Sequence, residues 1–146
     1  TLIFDSALHM AAHRADRVWV GCEAIGAQAF LARRGTRGLL EEARRSEVST
    51  AVVATSDKLM PRGELSLPTY CAGETWTLWE DAPEGVSVDA QAFEDVPHGL
   101  ADAFFTEAGR ESAAALCLRS MNTTDPGGWD TPPGPLAGER AYASRP

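Results

Sequence analysis

Two apolar, β-branched runs, "RVWVGC" at 17–22 and "STAVVAT" at 49–55, flank a segment with helical spacing. That segment, "TRGLLEEARRSE" at 36–47, places Leu39, Leu40 and Ala43 on one face and offers Glu41 and Arg45 as an i,i+4 pair. Thr36 stands where an N-cap belongs, because its hydroxyl can satisfy a free N–H of the first turn. Strand, amphipathic helix, strand is the pattern of a parallel crossover, since a tight hairpin cannot join parallel strands. A short apolar run, "TLIF" at 1–4, and a helix capped by Asp5 or Ser6 and running to about Ala15 extend the alternation upstream. The expectation is an α/β fold built on a parallel sheet.

Downstream the pattern is weaker. Ser56 to Glu74 is rich in Pro and Gly and reads as loop. "TWTLWED" at 75–81 is a weak strand, and "PHGLADA" at 97–103 is a helical turn or two opened by Pro97. "FFTEAG" at 104–109 reads as the last strand. After Ser120 the chain is crowded with Pro, Gly and small polar residues, which bury too little apolar area to offset their ordering entropy. The expected division is a folded domain at 1–110 and a largely disordered tail at 111–146.

The 146 residues suggest one domain, with an ordinary 44% hydrophobic and 23% charged content. A formal net charge of −8 argues against a broad surface for nucleic acid or an anionic membrane. A local basic patch remains at Arg33, Arg34 and Arg37. Cys22, Cys71 and Cys117 are far apart and show no metal-ligand spacing, so they read as reduced thiols of a cytosolic protein. No apolar stretch approaches the roughly 20 residues a membrane helix needs, and no signal-peptide pattern opens the chain. The chain starts on an apolar run without an initiator Met, which reads as a fragment of a longer protein.

Ligands of open parallel sheets sit beyond the C-terminal ends of the strands. That rule singles out Asp5, Gly21, Cys22, Glu23 and the stretch Thr55–Lys58. Glu23 is either a tuned acid–base carboxylate or a solvated loop residue paired with a cation. Arg33, Arg34, Gly35 and Thr36 precede a helix, so they form either a phosphate seat or an exposed charged turn capped by Thr36. Asp57 and Lys58 can simply pair with each other or with solvent. His9 and His13 share a helix face at zinc spacing but lack a third ligand, so no metal is expected. Cys22 reads as a buried strand-end thiol rather than a nucleophile. Trp19, Trp76 and Trp79 read as core or edge packing.

Five segments in one order carry a family resemblance: "TLIFDSA" (1–7), "VWVGCEAI" (18–25), "ARRGT" (32–36), "AVVATSDKL" (51–59) and "FEDVPHGLADAFFTEAG" (93–109). Over roughly residues 1–109 the sequence resembles the C-terminal domain of the initiation-factor-2B-related family. That family includes the alpha, beta and delta subunits of translation initiation factor 2B, methylthioribose-1-phosphate isomerase and ribose-1,5-bisphosphate isomerase. Its members commonly read Gly-Ala-Asp after the strand and Asn-Lys-x-Gly-Thr further on. Here Glu23 matches the Asp, Ala32 replaces the Asn and Arg33 replaces the Lys. "TSDKL" resembles the lysine-bearing segment of the factor subunits and ribose-bisphosphate isomerases, as does Asp5-Ser6-Ala7. The catalytic Cys of the isomerases lies in a preceding segment, and Cys22 does not match it.

The resemblance implies a Rossmann-like, three-layer parallel sheet and a domain that binds a phosphorylated sugar or nucleotide without a cofactor. Glu23 would face the sugar as the acid–base residue. Arg33, Gly35 and Thr36 would hold the ligand's phosphate, with Asp5 lining the cleft and Lys58 as a further substrate-binding residue. The resemblance also implies self-association or assembly with related subunits. Two readings follow from it: a binding and assembly domain, or half of the active site of an aldose–ketose isomerase acting on a C1-phosphorylated pentose.

Overall fold

A computed structural model describes residues 1–65, 78–79 and 81–123. In chain order the elements are α1 (Leu8–Ala12), β1 (Arg17–Gly21), β2 (Ala24–Ile25), β3 (Ala29–Arg33), α2 (Thr36–Arg45), β4 (Ser49–Val53), β5 (Phe93–Pro97), β6 (Ala103–Thr106), β7 (Gly109–Glu111) and α3 (Ala113–Asn122). The chain folds as α/β, with a four-stranded sheet in the order β1-β4-β6-β7. β1, β4 and β6 run parallel and only the edge strand β7 is antiparallel. A separate antiparallel sheet, β2-β3-β5, packs beside it.

The period of two in the strands decides which side chains meet the core. Val20 pairs with Val52 across β1 and β4, and Val52 with Phe104 across β4 and β6. Val18, Val52 and Phe104 form one buried cluster with Phe30 of β3, Leu40 and Ala43 of α2 and Leu116 of α3. The helices α2 and α3 and the small sheet therefore cover one face of the parallel sheet. The opposite face carries Trp19 and Val53, both exposed. Thr50 is buried and polar, and its backbone N–H donates to the Asp102 carboxylate at 2.8 Å.

Several expected elements fall elsewhere. Residues 1–4 form no strand, and Leu2 and Phe4 are exposed. A short apolar run asks for burial, but among the described residues no strand pairs with it. The first helix is cut to a turn at Asp5–Ala7 followed by α1. In α2, Glu41 pairs with Arg37 and Arg45 with Glu42, in place of the anticipated Glu41–Arg45 pair. Pro97 closes β5, and the helical turn after it covers only His98–Leu100. The last strand becomes a hairpin, β6 with β7. Of the weak strand at 75–81, residues 78, 79 and 81 are turn or irregular and the rest lie outside the described residues.

The division at residue 110 is also displaced. α3 begins at the N-cap Ser112, whose Oγ accepts from the Ala115 N–H at 3.2 Å. Leu116 and Ser120 are fully buried, and Ser120 Oγ donates to the Met60 carbonyl at 2.8 Å. Arg119 pairs with Glu111 at the start of the helix. The folded body therefore extends through α3, and residues 124–146 lie outside the described residues.

The joint between the two sheets contains a titratable group. His98 is buried between Phe30 and Phe104, with ring centroids 6.2 and 5.1 Å away. Its Nε2 has no hydrogen-bond partner among the described residues. Burial holds the imidazole below its ordinary value of 6.5, only partly opposed by a hydrogen bond to the Ala29 backbone. The folded state thus prefers the neutral ring. Its contribution is fully present above the unfolded value and is lost as pH falls below it, toward and through the lowered folded value. His98→Phe is expected to lose less stability than the parent between pH 7 and pH 5, because the other titrating groups are common to both. Urea midpoints at the two pH values measure this, and parallel losses would show that His98 does not titrate in the core.

Candidate functional site

The strand β1 ends at Gly21, and the chain then turns under the small sheet. The Glu23 N–H donates to the Leu31 carbonyl of β3 at 2.8 Å, which fixes the Glu23 backbone at the rim of the parallel sheet. After β4, a turn at Ser56–Lys58 leads to Leu59, which forms a parallel bridge with Ile25 of β2. The Met60 N–H reinforces it by donating to the Ile25 carbonyl at 2.8 Å. This docking delivers Lys58 to the end of β1. Its Nζ donates to the Cys22 carbonyl and lies 3.9 Å from Glu23 Oε2.

On the other side of the rim, β3 ends at Arg33 and the chain enters α2 through Gly35. Gly35 has φ of 98°, a left-handed conformation that favours glycine. The Arg33 guanidinium lies over the Phe93 ring, 4.8 Å from its centroid. Arg34 pairs with Asp89 at 2.8 Å, and that guanidinium hydrogen bond holds the Asp89 carboxyl below its usual range.

A cavity of about 440 Å³ opens between these two sides. Asp5, Glu23, Arg33, Gly35, Thr36 and Lys58, the six residues expected at the site, all line it. Volumes of roughly 300–1,000 Å³ are usual for small-ligand sites. Arg34 adds a third cation to Arg33 and Lys58, against the two carboxylates of Asp5 and Glu23. That balance suits an anionic ligand bearing hydroxyl groups: the guanidinium and ammonium groups donate to phosphate oxygens, and the carboxylates accept from hydroxyls.

Three features alter the expected roles. First, Glu94 of β5 caps α2, accepting from the Gly35 N–H at 2.7 Å and the Arg37 N–H at 3.0 Å. Two of the backbone amides at the start of α2 are therefore satisfied from within, which leaves fewer of them to meet an anion. Glu94 lies 59 residues beyond Gly35, and no local signal links the two. Second, Ala32 is buried in the core, so its side chain is not part of the cavity wall. Third, Cys22 is buried, and desolvation pushes its thiol up to about 12 despite the nearby Lys58. At neutral pH it is a thiol, not a thiolate nucleophile. Among the described residues no group of three or more His, Cys, Asp or Glu could hold a metal ion, and no helix is long and apolar enough to cross a membrane.

Comparison with solved structures supports the fold. The delta subunit of translation initiation factor eIF-2B from A. fulgidus superposes with a TM-score of 0.67 at 20% identity, covering 84% of this chain and 39% of that one. The 5-methylthioribose 1-phosphate isomerase of Pyrococcus horikoshii gives 0.64 at 24% identity, covering 83% and 36%. A chain of the tetrameric eIF2B-beta2-delta2 complex from C. thermophilum gives 0.53 at 18% identity, covering 75% and 31%. This chain thus spans between about 31% and 39% of these proteins' lengths. At such identities the likeness is one of fold. A sequence search of curated proteins finds no match. The family model described as the Initiation factor 2 subunit family matches residues 1–112, and the chain belongs to that family.

Proposed function

We propose that this chain is the C-terminal, Rossmann-like domain of an initiation factor 2B-like protein of the cytoplasm, and that it binds a phosphorylated sugar or nucleotide. The observation that carries this reading is the convergence of Asp5, Glu23, Arg33, Gly35, Thr36 and Lys58 on one cavity at the strand rim. Arg33 and Lys58 take the phosphate, and Glu23 takes a sugar hydroxyl. The domain works in an assembly, either with copies of itself or with related subunits. The presence of a tetrameric factor complex among proteins of the same fold supports that part of the reading.

A second reading is favoured by one contact. The Glu23 carboxylate lies 3.9 Å from the Lys58 ammonium, a pairing that could serve proton transfer on a sugar carbon. The domain would then be half of an aldose–ketose isomerase site for a C1-phosphorylated pentose such as ribose-1,5-bisphosphate. The reactive cysteine would come from elsewhere in the longer protein, because Cys22 stays protonated.

Calorimetric titration with ribose-1,5-bisphosphate tests the binding reading. Saturable binding is expected, and Arg33→Ala should weaken it roughly tenfold to a hundredfold through loss of a charge-assisted contact. Equal affinity in the variant, or no binding by a folded chain, would overturn the assignment. An isomerase assay of the longer protein with Glu23→Gln separates the second reading, which requires the variant to lose turnover.

A further inference from the structure

Strand alternation and register put Trp19 of β1, Ala51 and Val53 of β4 and Ala103 and Phe105 of β6 on the face of the parallel sheet opposite the core. Parallel strands are ordinarily covered by helices on both faces. Here α2 and α3 pack on the core side, and α1 packs against α2. The other face keeps Trp19 64% and Val53 46% exposed. Trp19 leans across β4 onto Phe105, with ring centroids 6.2 Å apart. Beside the two rings, the small side chains of Ala51 and Ala103 floor a groove of about 240 Å³. Contiguous apolar surface of this kind marks an interaction site.

Charge narrows the occupant. The chain carries a net charge of −8, yet this groove is flanked by Arg17 of β1 and Arg110 of β7, on the two outer strands of the sheet. Both are exposed, and neither pairs with a carboxylate among the described residues. Asp102, the one carboxylate among the described residues lining the groove, already accepts from the Thr50 N–H at 2.8 Å and the Thr50 hydroxyl at 3.2 Å. A second copy on the same face would set guanidinium against guanidinium, which disfavours it. A nucleic acid strand would meet the two arginines, but its many phosphates would be repelled by the acidic chain around them. A helix needs only two carboxylates in the right place. We propose that this face seats an acidic amphipathic helix of a partner protein. Its apolar side chains, spaced i, i+3, i+4 and i+7, fill the groove beside Trp19 and Phe105, and carboxylates flanking that stripe meet Arg17 and Arg110. The proposal does not depend on what the strand-rim cavity binds.

Two synthetic amphipathic helices of about 18 residues test this on the full chain. They share one leucine stripe, flanked by Glu in the first and by Lys in the second. The Glu-flanked helix should bind about tenfold or more tightly than the Lys-flanked one, with amide NMR shifts on β1, β4 and β6. The double variant Arg17→Glu, Arg110→Glu should invert that preference, and Trp19→Ser should weaken both helices. Equal binding of the two helices, or no binding of either by a folded chain, would overturn the proposal. Self-association in sedimentation that Trp19→Ser abolishes would assign the face to a second copy instead. An oligothymidylate that binds more tightly than the Glu-flanked helix and shifts the same strands would assign it to a nucleic acid, and either result would overturn the proposal.

Discussion

Phe30→Ala is expected to destabilise the folded chain by about 3–5 kcal/mol, the cost usual for truncating a fully buried Phe to Ala. Phe30 is completely buried in β3. Its ring meets Phe104 edge-on, with centroids 5.8 Å apart and planes at 86°, and lies beside His98. It thus ties the small antiparallel sheet to the parallel one. Most of the cost is lost burial and an unfilled cavity, with a smaller part from the aromatic geometry. A domain of this size has only about 5–15 kcal/mol in total. Urea denaturation measures the effect. A change below about 1 kcal/mol would mean that the two sheets do not depend on this contact. The consequence reaches the site, because β3 carries Arg33 and accepts the Glu23 N–H.

Ending the chain after Ser112 is expected to have a still larger effect. It removes α3, with the fully buried Leu116 and the Ser120 hydroxyl that donates to the Met60 carbonyl. The Leu116 pocket would open to water, and the Met60 carbonyl would lose its side-chain partner. Met60 follows directly on the Leu59 bridge that holds Lys58 at the rim, so the loss should loosen the cavity as well as the core. The graded version is Leu116→Ala, expected to cost about 2–5 kcal/mol. Loss of a cooperative thermal transition in the shortened chain is the predicted result. A transition at the parent temperature would show that α3 is an accessory helix and that the domain ends near residue 110.

How much of this was legible follows the range over which the determining forces act. β1, α2 and β4 are written in local periodicity, and the structure places them within two residues of their expected ends. The small sheet is not written locally. β2 has two residues, β5 reads "FEDVP", and Leu31 pairs with Asp95 across a long stretch of chain. α3 is capped by Ser112 in the structure, but its short, alanine-rich sequence merges with the polar run that follows. Residues 1–4 failed in the opposite way: their apolar character was correct, but composition cannot name a covering partner.

The site divides similarly. The strand-rim rule and the family resemblance together found six residues of the cavity wall. They could not find Glu94, whose capping of α2 depends on the β3–β5 register. Nor could they place Trp19. An aromatic residue in a strand reads as packing until the faces of the sheet are known, and here its face is the exposed one.

The central claim is that these residues form one ligand site, and amide chemical-shift mapping by NMR during addition of ribose-1,5-bisphosphate tests it most directly. The account predicts saturable shifts confined to Gly21–Glu23, Arg33–Thr36 and the turn ending at Lys58. Shifts centred instead on Thr50, Gly99 and Asp102, at the opposite end of β4, or no shifts from a folded chain, would contradict it.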